Sequence, residues 1–324
     1  FAGGEVADEY IVPDALVNGP FEELNARYPV VSVGGKARIT AETINMFGQR
    51  SFEFYTLADF VLITRSLPKM EVARGNMLFA VNPAEQWLEW TGRREFQRID
   101  FFPGLSASWV EDHYPGALIL STGWAMQVQD KPSRELFGDT TGTHALPKGE
   151  LEPFARLICS LAGFPEDYTR SEFSDETRYL IDWLSYSLAF PQEPIGVAVA
   201  LRGRKGIGKG VLSQFLQWMC GEYTLVTADM DQVLGKFNGA LANKVWLFLD
   251  EALWSGNKTA VRRFQNIITE PVLSTEAKGM MPLQTRYCLH VLLSSNDEWI
   301  VPASGNDERR YCLLDSSSAL KHDF

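Results

Sequence analysis

The C-terminal half of the chain is predicted to be an α/β domain with a largely parallel sheet, preceded by two short helices and a small α+β region. Three observations predict this. Beyond Pro191 and Pro194, apolar strand-like runs alternate with helix-periodic segments, the pattern of an open parallel sheet. A glycine-rich loop stands between the first of these strands and the helix that follows it, and later strands end in acidic or amide residues, as a nucleotide site at the carboxyl edge of a sheet would require.

Length and composition fit that reading. At 324 residues the chain has room for more than one module, and 45% hydrophobic with 22% charged residues suits a sizeable buried core. The formal charge of −11 gives no global positive field, so any contact with nucleic acid must be local. Cys159, Cys220, Cys288 and Cys312 are widely spaced and form no CxxC pair, which points to free buried thiols in a reducing compartment. No run of about 18 apolar residues and no signal-like N-terminus appears, which argues against secretion and membrane insertion. The start at Phe1 and the stop at Phe324 suggest a piece of a longer polypeptide.

Residues 1–150 read as the α+β N-terminal and linker domain. Val30 to Val33, then Gly34 and Gly35, then Ala37 to Ile39 form a hairpin signal. Pro83 to Arg94 reads as a short amphipathic helix and Pro132 to Gly149 as a linker. Residues 151–193 hold two helices, Glu152 to Ala162 and Ser174 to Leu188, the second opened by Asp175 and Glu176. Residues 194–324 read as the α/β domain.

Its chemistry begins with the strand Ile195 to Leu201, the loop Gly203, Arg204, Lys205, Gly206, Ile207, Gly208, Lys209 and Gly210, and a helix from Val211 to Met219. Glycines let successive N–H groups turn inward toward a phosphate, the helix N-terminus adds partial positive charge, and Lys209 reaches the β and γ phosphates. The hydroxyl residue that usually follows the lysine and ligates Mg²⁺ is Gly210 here, and Ser213 lies almost a turn further on. Weakened metal binding is the expectation, with water filling the coordination place.

The apolar strand from Val245 ends in Asp250 and Glu251. After such a loop the first acid holds Mg²⁺ and the second polarises the attacking water. A third buried strand, His290 to Ser295, ends in Asn296, positioned to meet the γ phosphate or the water. Arg309 and Arg310 precede the strand Tyr311 to Asp315, and in a ring ATPase one of them can serve a neighbouring subunit as an arginine finger.

With these elements in order, the run from about Pro194 to Asp315 resembles a superfamily 3 helicase, a ring-forming AAA+-like P-loop motor. Gly203 to Gly210 matches its motif A, Asp250 and Glu251 motif B, and Asn296 motif C. The interval Val272 to Tyr287 matches the hairpin-bearing motif between the last two. A GKG form of motif A and the order of Phe237, Asn238, the Leu292 to Asn296 run and Arg309 with Arg310 are similar to phage and poxvirus-type primase-helicases. The resemblance implies ATP and Mg²⁺ as cofactors, a hexameric ring assembled through the collar helices 151–193, and single-stranded or forked DNA in a central channel. It also implies a primase or polymerase domain outside this chain, and the cytoplasm of a bacterial or phage-infected cell. Lys278 on the hairpin would grip DNA, with Lys236 as a second contact. A P-loop ATPase that remodels or assembles without strand separation, and a scaffold that only binds nucleotide, remain the alternatives; Gly210 speaks for the scaffold and the pair Asp250 and Glu251 against it.

Overall fold

The computed structural model describes residues 19–44, 50–74, 77–105, 107–120, 152–170, 172–251, 258–270, 272–276, 283–297, 301 and 308–319. By backbone proximity the chain divides into two compact units, residues 1–99 with 116–118, and residues 100–115 with 119–324. The linker expected at Pro132 to Gly149 lies outside the described residues.

The first unit is α+β. Helix α1 (Pro20–Arg27) leads into β1 (Val30–Val33), β2 (Lys36–Ile44) and β3 (Arg50–Tyr55), followed by α2 (Leu57–Ile63), β4 (Met70–Arg74), β5 (Met77–Val81), α3 (Pro83–Glu89) and β6 (Glu95–Phe96). The expected hairpin is present: β1 and β2 pair antiparallel from Val30 against Ile39 to Val33 against Lys36. Gly34 and Gly35 turn it with φ of 55° and 74°, the left-handed region that a two-residue hairpin needs. The sheet order is β3-β2-β1-β6, with β6 parallel to β1. Phe21, Ile39, Phe60, Val72 and Trp87 form its core.

Helix α3 is shorter than the expected Pro83 to Arg94 span, ending at Glu89. Trp90 is extended, and the following residues are drawn into the sheet. The Arg94 carbonyl accepts from Val30 N–H at 2.9 Å and its N–H donates to the Asn25 side chain at 2.6 Å. Sheet pairing thereby competes with the helical period.

β7 (Arg98–Asp100) and β8 (Ala117–Ile119) fall mostly within the residues of the first unit, and α4 (Ala107–His113) is the first helix of the second. Then come α5 (Glu152–Leu161) and α6 (Asp175–Ala189), within a residue or two of the expected pair. Ser174 caps α6 by accepting from Thr177 N–H at 3.2 Å, with Asp175 and Glu176 in the first turn, where the helix dipole favours them.

The remaining elements are β9 (Ala198–Arg202), α7 (Lys209–Cys220), β10 (Thr224–Thr227), α8 (Met230–Leu234), β11 (Trp246–Asp250), α9 (Lys258–Thr269), β12 (Val272–Thr275), β13 (Leu283–Arg286), β14 (His290–Ser295) and β15 (Tyr311–Asp315). Five strands form one sheet in the order β10-β11-β14-β9-β15, every pair parallel. The protein is therefore a mixed α/β chain whose larger unit is built on a parallel sheet. β9, β11 and β14 are buried along nearly their whole length, which is why they read as unbroken apolar runs. Phe264, Ile267 and Ile268 of α9 join Leu247, Leu249, Val291 and Leu293 in the core.

Helices α5 and α6 are tied to this sheet. Trp183 Nε1 of α6 donates to Val197 O at 2.9 Å, just before β9, and Ser316 Oγ, just after β15, donates to Leu161 O at 2.8 Å. All four cysteines are free thiols, three of them buried. Burial pushes the Cys159 thiol up to about 11 and Cys220 to about 12, so neither is a nucleophile at neutral pH. No helix among the described residues is long and apolar enough to cross a membrane.

His290 starts β14 with its ring 5.6 Å from that of Trp246 and 6.2 Å from that of Trp183. Burial pushes its imidazole from 6.5 down to about 3. The unfolded chain therefore takes up this proton at a pH where the folded chain does not. Its contribution to stability is complete above about pH 6.5 and is lost as pH falls toward 3, with a slope of up to about 1.4 kcal/mol per pH unit. In urea unfolding at pH 7, 6 and 5, the wild type should lose stability faster than His290→Phe; parallel losses would show that this histidine carries no charge penalty.

Candidate nucleotide site

The parallel sheet brings three strand ends to one edge. β11 and β14 pair from Trp246 against His290 to Asp250 against Ser294, and β14 pairs with β9 up to Ser295 against Arg202. Whatever follows Asp250, Ser295 and Arg202 must meet there, at the carboxyl edge where ligands of open α/β sheets bind.

The loop after β9 turns on glycines. Gly206 and Gly208 have φ of 78° and 96°, conformations that side chains disfavour. A Cβ on Gly203 would lie 2.6 Å from Ile207 Cδ1, so that glycine lets the buried Ile207 pack under the loop. Gly208 caps α7 without a side-chain hydrogen bond. Lys205 and Gly206 form a tight turn; among the described residues, the backbone N–H groups of Lys205, Gly206, Gly208, Lys209 and Gly210 have no hydrogen-bond acceptor, and the Val211 N–H is paired to Gly208 O at 3.0 Å. A run of unpaired N–H groups leading into a helix N-terminus is an anion cradle.

Lys209 lies within this loop. Its Nζ donates to Gly203 O at 2.5 Å, Arg204 O at 3.1 Å and Asn296 Oδ1 at 3.1 Å. Burial pulls its ammonium below the ordinary lysine range, while Asp250 and Glu251 work in the opposite direction. Asn296 also donates through Nδ2 to Glu251 Oε1 at 2.6 Å. One amide thus bridges the loop lysine and the strand-end carboxylate. Glu251 holds a left-handed backbone, φ 52°, and its N–H donates to Ser294 O at 2.8 Å. Lys205 Nζ lies 3.5 Å from the same carboxylate, and Ser294 Oγ donates to Asp250 Oδ1 at 2.5 Å.

These groups surround a cleft of about 310 Å³ lined by Lys205 to Val211, Gln214, Asp250, Glu251 and Asn296. Lys205, Gly206, Ile207, Gly208, Lys209, Gly210, Val211, Asp250, Glu251 and Asn296 are therefore brought together around one cleft, with Gly203 and Arg204 supplying the carbonyls that hold Lys209. Ser294 and Gln214 were missed. Only their spacing signals them: Ser294 stands two residues before Asn296, on the same side of a strand, and Gln214 lies one helical turn beyond Gly210.

Other expected residues lie elsewhere. Arg309 and Arg310 precede β15, which runs parallel to β9 with Tyr311 beside Ala198. They stand at the opposite end of the sheet from the loop, a strand length of about 13 Å away. Arg310 pairs with Glu308 at 3.0 Å, whereas exposed Arg309 has no side-chain partner among the described residues. Lys236 is exposed, its Nζ 5.3 Å from the centroid of the Phe237 ring. The hairpin between the acidic strand and β14 exists: β12 and β13 pair antiparallel from Val272 against Arg286 to Thr275 against Leu283. Lys278 belongs to the segment joining them, outside the described residues.

The cleft offers donors to an anionic group. The free N–H groups and Lys209 suit phosphate oxygens, but among the described residues no three His, Cys, Asp or Glu side chains converge as a metal cage. A Mg²⁺ ion would rest on Asp250, phosphate oxygens and water, as this ion commonly does at phosphate sites. Ser213, whose hydroxyl donates to Gly210 O at 2.8 Å, lies outside the cleft lining.

The class defined by this fold is the mixed α/β protein with a five-stranded parallel sheet and a glycine-rich, lysine-bearing loop at its carboxyl edge. Residues 201–310 match a family of unknown function, DUF5906, a span that covers the loop, both acids, the hairpin and Asn296. The chain is 26% identical over 147 residues to the DNA primase-polymerase of Nitratiruptor phage NrS-1, a match covering 44% of this chain and 20% of that protein. An apo structure of the NrS-1 C-terminal region superposes with a TM-score of 0.58 at 16% identity, over 93% of this chain and 62% of that one. A second apo structure of that region gives 0.49 at 19% identity over 78% and 58% of the two chains. The matched sequence is thus about a fifth of the curated relative, and the similarity to the first structure extends the shared fold over nearly the whole of this chain.

A Cβ added to Gly210 meets nothing within 4 Å, so a serine fits at the start of α7. Gly210→Ser should lower the Mg²⁺ concentration for half-maximal nucleotide binding, because it adds a hydroxyl oxygen where the ion otherwise keeps a water. An unchanged Mg²⁺ titration would show that the ion does not approach this position.

Proposed function

We propose that this chain is the motor portion of a phage-type replication protein, hydrolysing ATP with Mg²⁺ to move along DNA. One observation carries the reading: Lys209, Asp250, Glu251 and Asn296, from three separate segments, meet in one cleft beneath a loop most of whose N–H groups have no acceptor among the described residues. A structural ion-pair cluster needs no such cradle. The relative's name as a primase-polymerase and the helicase-like order of motifs support a role in replication.

In this reading the loop N–H groups and Lys209 bind the β and γ phosphates, and Asp250 would hold a Mg²⁺ ion, which would offset the phosphate charge. Phosphate oxygens compete for the Lys209 bonds to Gly203, Arg204 and Asn296. Breaking the last of these frees the amide to meet the γ phosphate or the attacking water while it steadies Glu251. Glu251 takes the water proton as general base. Lys205 offers a further positive charge at the cleft mouth.

Arg309, exposed and at the far end of the sheet, suits action in trans on the cleft of a neighbouring copy, whereas Arg310 is committed to Glu308. The assembly is then a ring, a hexamer built with α5 and α6 as its collar. Single-stranded or forked DNA passes through the channel, and a primase or polymerase domain lies outside this chain. The setting is the cytoplasm of a bacterial or phage-infected cell. Lys278, in the segment joining β12 and β13, and Lys236 contact the DNA backbone, giving an acidic protein a local positive surface.

Lys209→Ala should abolish hydrolysis together with tight nucleotide binding, because it removes the cation held among the loop carbonyls. Glu251→Gln should bind nucleotide like the wild type and fail to turn over, since its loss falls on water activation. Equilibrium binding of a fluorescent nucleotide beside phosphate release separates the two, and equally weak binding by both variants would refute the division of roles.

A remodelling ATPase or a nucleotide-binding scaffold differs from a DNA motor at the hairpin. Lys278→Ala should weaken binding to single-stranded DNA and reduce the log–log salt slope by about 0.7 for each phosphate that is no longer neutralised. Repeated around a ring, that weakening should stop unwinding. Equal affinity, slope and unwinding in wild type and variant would remove Lys278 from the mechanism and favour an ATPase without strand separation.

A further inference from the structure

The β12–β13 hairpin stands apart from the five-stranded sheet as a pair of strands on its own. A two-stranded ribbon is marginal in water without support from another element. Its support comes from two places in the same compact unit. Near its base, the Arg286 guanidinium of β13 lies 4.6 Å from the Phe102 ring centroid and 5.7 Å from that of Tyr114. Toward its tip, one side chain holds the other strand: Asn238 Nδ2 donates to Ser274 O at 3.2 Å, and Asn238 Oδ1 accepts from Glu276 N–H at 3.0 Å. Gly239 N–H completes the clamp by donating to Glu276 O at 3.1 Å.

Asn238 therefore hydrogen-bonds along the hairpin strand as a neighbouring strand would. It also stands in the segment that carries Lys236 and the exposed ring of Phe237. That segment is short and anchored at both ends. Upstream, Arg263 Nη1 of α9 donates to Leu234 O at 3.0 Å. Downstream, a 3₁₀ turn, Gly239–Leu241, leads through Val245 into β11 and hence to Asp250 and Glu251.

We infer that Asn238 is a positioning residue that locks the hairpin to the Lys236 segment, so that both follow a displacement of the acidic strand β11 as one body. The inference rests on the proposed DNA-translocating function for its consequence but not for its geometry. Asn238 touches neither the nucleotide cleft nor, in this reading, the DNA. Its loss should uncouple hydrolysis from DNA without disabling either site. Asparagine is suited to this position because it offers a donor and an acceptor on one short side chain. Aspartate keeps the acceptor for Glu276 N–H and loses the donor to Ser274 O.

The experiment compares wild type, Asn238→Ala and Asn238→Asp as full chains by two readouts. The first is backbone amide hydrogen exchange at Gly239 and Glu276, which reads the clamp without nucleotide or DNA. Exchange at both should accelerate about ten-fold or more in Asn238→Ala and less in Asn238→Asp; equal protection in all three overturns the clamp itself. The second is ATP hydrolysis with and without single-stranded oligothymidylate. Asn238→Ala should keep its DNA-independent rate and lose about five-fold or more of the DNA stimulation, with Asn238→Asp between it and the wild type. Full stimulation in a variant whose clamp amides exchange rapidly would overturn the coupling. If Asn238→Ala loses its DNA-independent rate as well, Asn238→Asp decides: a normal basal rate with reduced stimulation supports the coupling, and parallel loss of both assigns Asn238 to folding alone. A wild type that neither hydrolyses ATP nor responds to DNA would overturn the function proposed above and the coupling with it, while the exchange data would still decide the clamp.

Discussion

The side-by-side parallel packing of β11, β14 and β9 is the constraint from which the candidate site follows. Because all three strands run the same way, their carboxyl ends open on one edge, and residues far apart in sequence arrive together without any long loop to carry them. Asp250 and Glu251 leave one strand, Asn296 the next, and the glycine-rich loop the third. The Asn296 amide then spans the gap between Lys209 and Glu251. That short chain of hydrogen bonds is available only while the strands keep this order, since interchanging β14 and β9 would put a whole strand between Asn296 and Glu251. The buried apolar strands therefore both hold the unit together and align its chemistry.

Much of this arrangement was legible in the amino-acid sequence because the relevant signals are local. Unbroken apolar runs ending in polar residues mark strands buried on both faces, and a glycine-rich loop before a helix has few other uses. The helix boundaries at Glu152 and Ser174 could be read from acidic first turns and a capping serine. The overrun of α3 has a physical cause: the amphipathic period continues past Glu89, but Arg94 is claimed by backbone pairing with Val30, whose partner cannot be read from spacing. The same kind of long-range choice hid Ser294 and the ion pair of Lys205. Nothing local says that Ser294 will face Asp250 across a ladder, or that Lys205 will reach Glu251.

The two arginines before β15 illustrate how topology refines a motif. In sequence Arg309 and Arg310 are equivalent neighbours. In the fold, Arg310 meets Glu308, which also accepts from Gln265 at 3.1 Å, while Arg309 faces solvent. The parallel register against β9 sets both at the far end of the sheet from their own loop. An arginine there lies about a strand length from the cleft of its own chain.

The main-chain N–H groups of the Lys205 to Gly210 loop are proposed to cradle phosphate, and the amide ¹H–¹⁵N spectrum of those residues during titration with ATP and Mg²⁺ tests this. A phosphate held there should move the Gly206, Gly208, Lys209 and Gly210 amides downfield together, saturating with a single dissociation constant, as N–H groups gaining charged acceptors do. Amides that stay in place while nucleotide binds, or no binding at all, would contradict it.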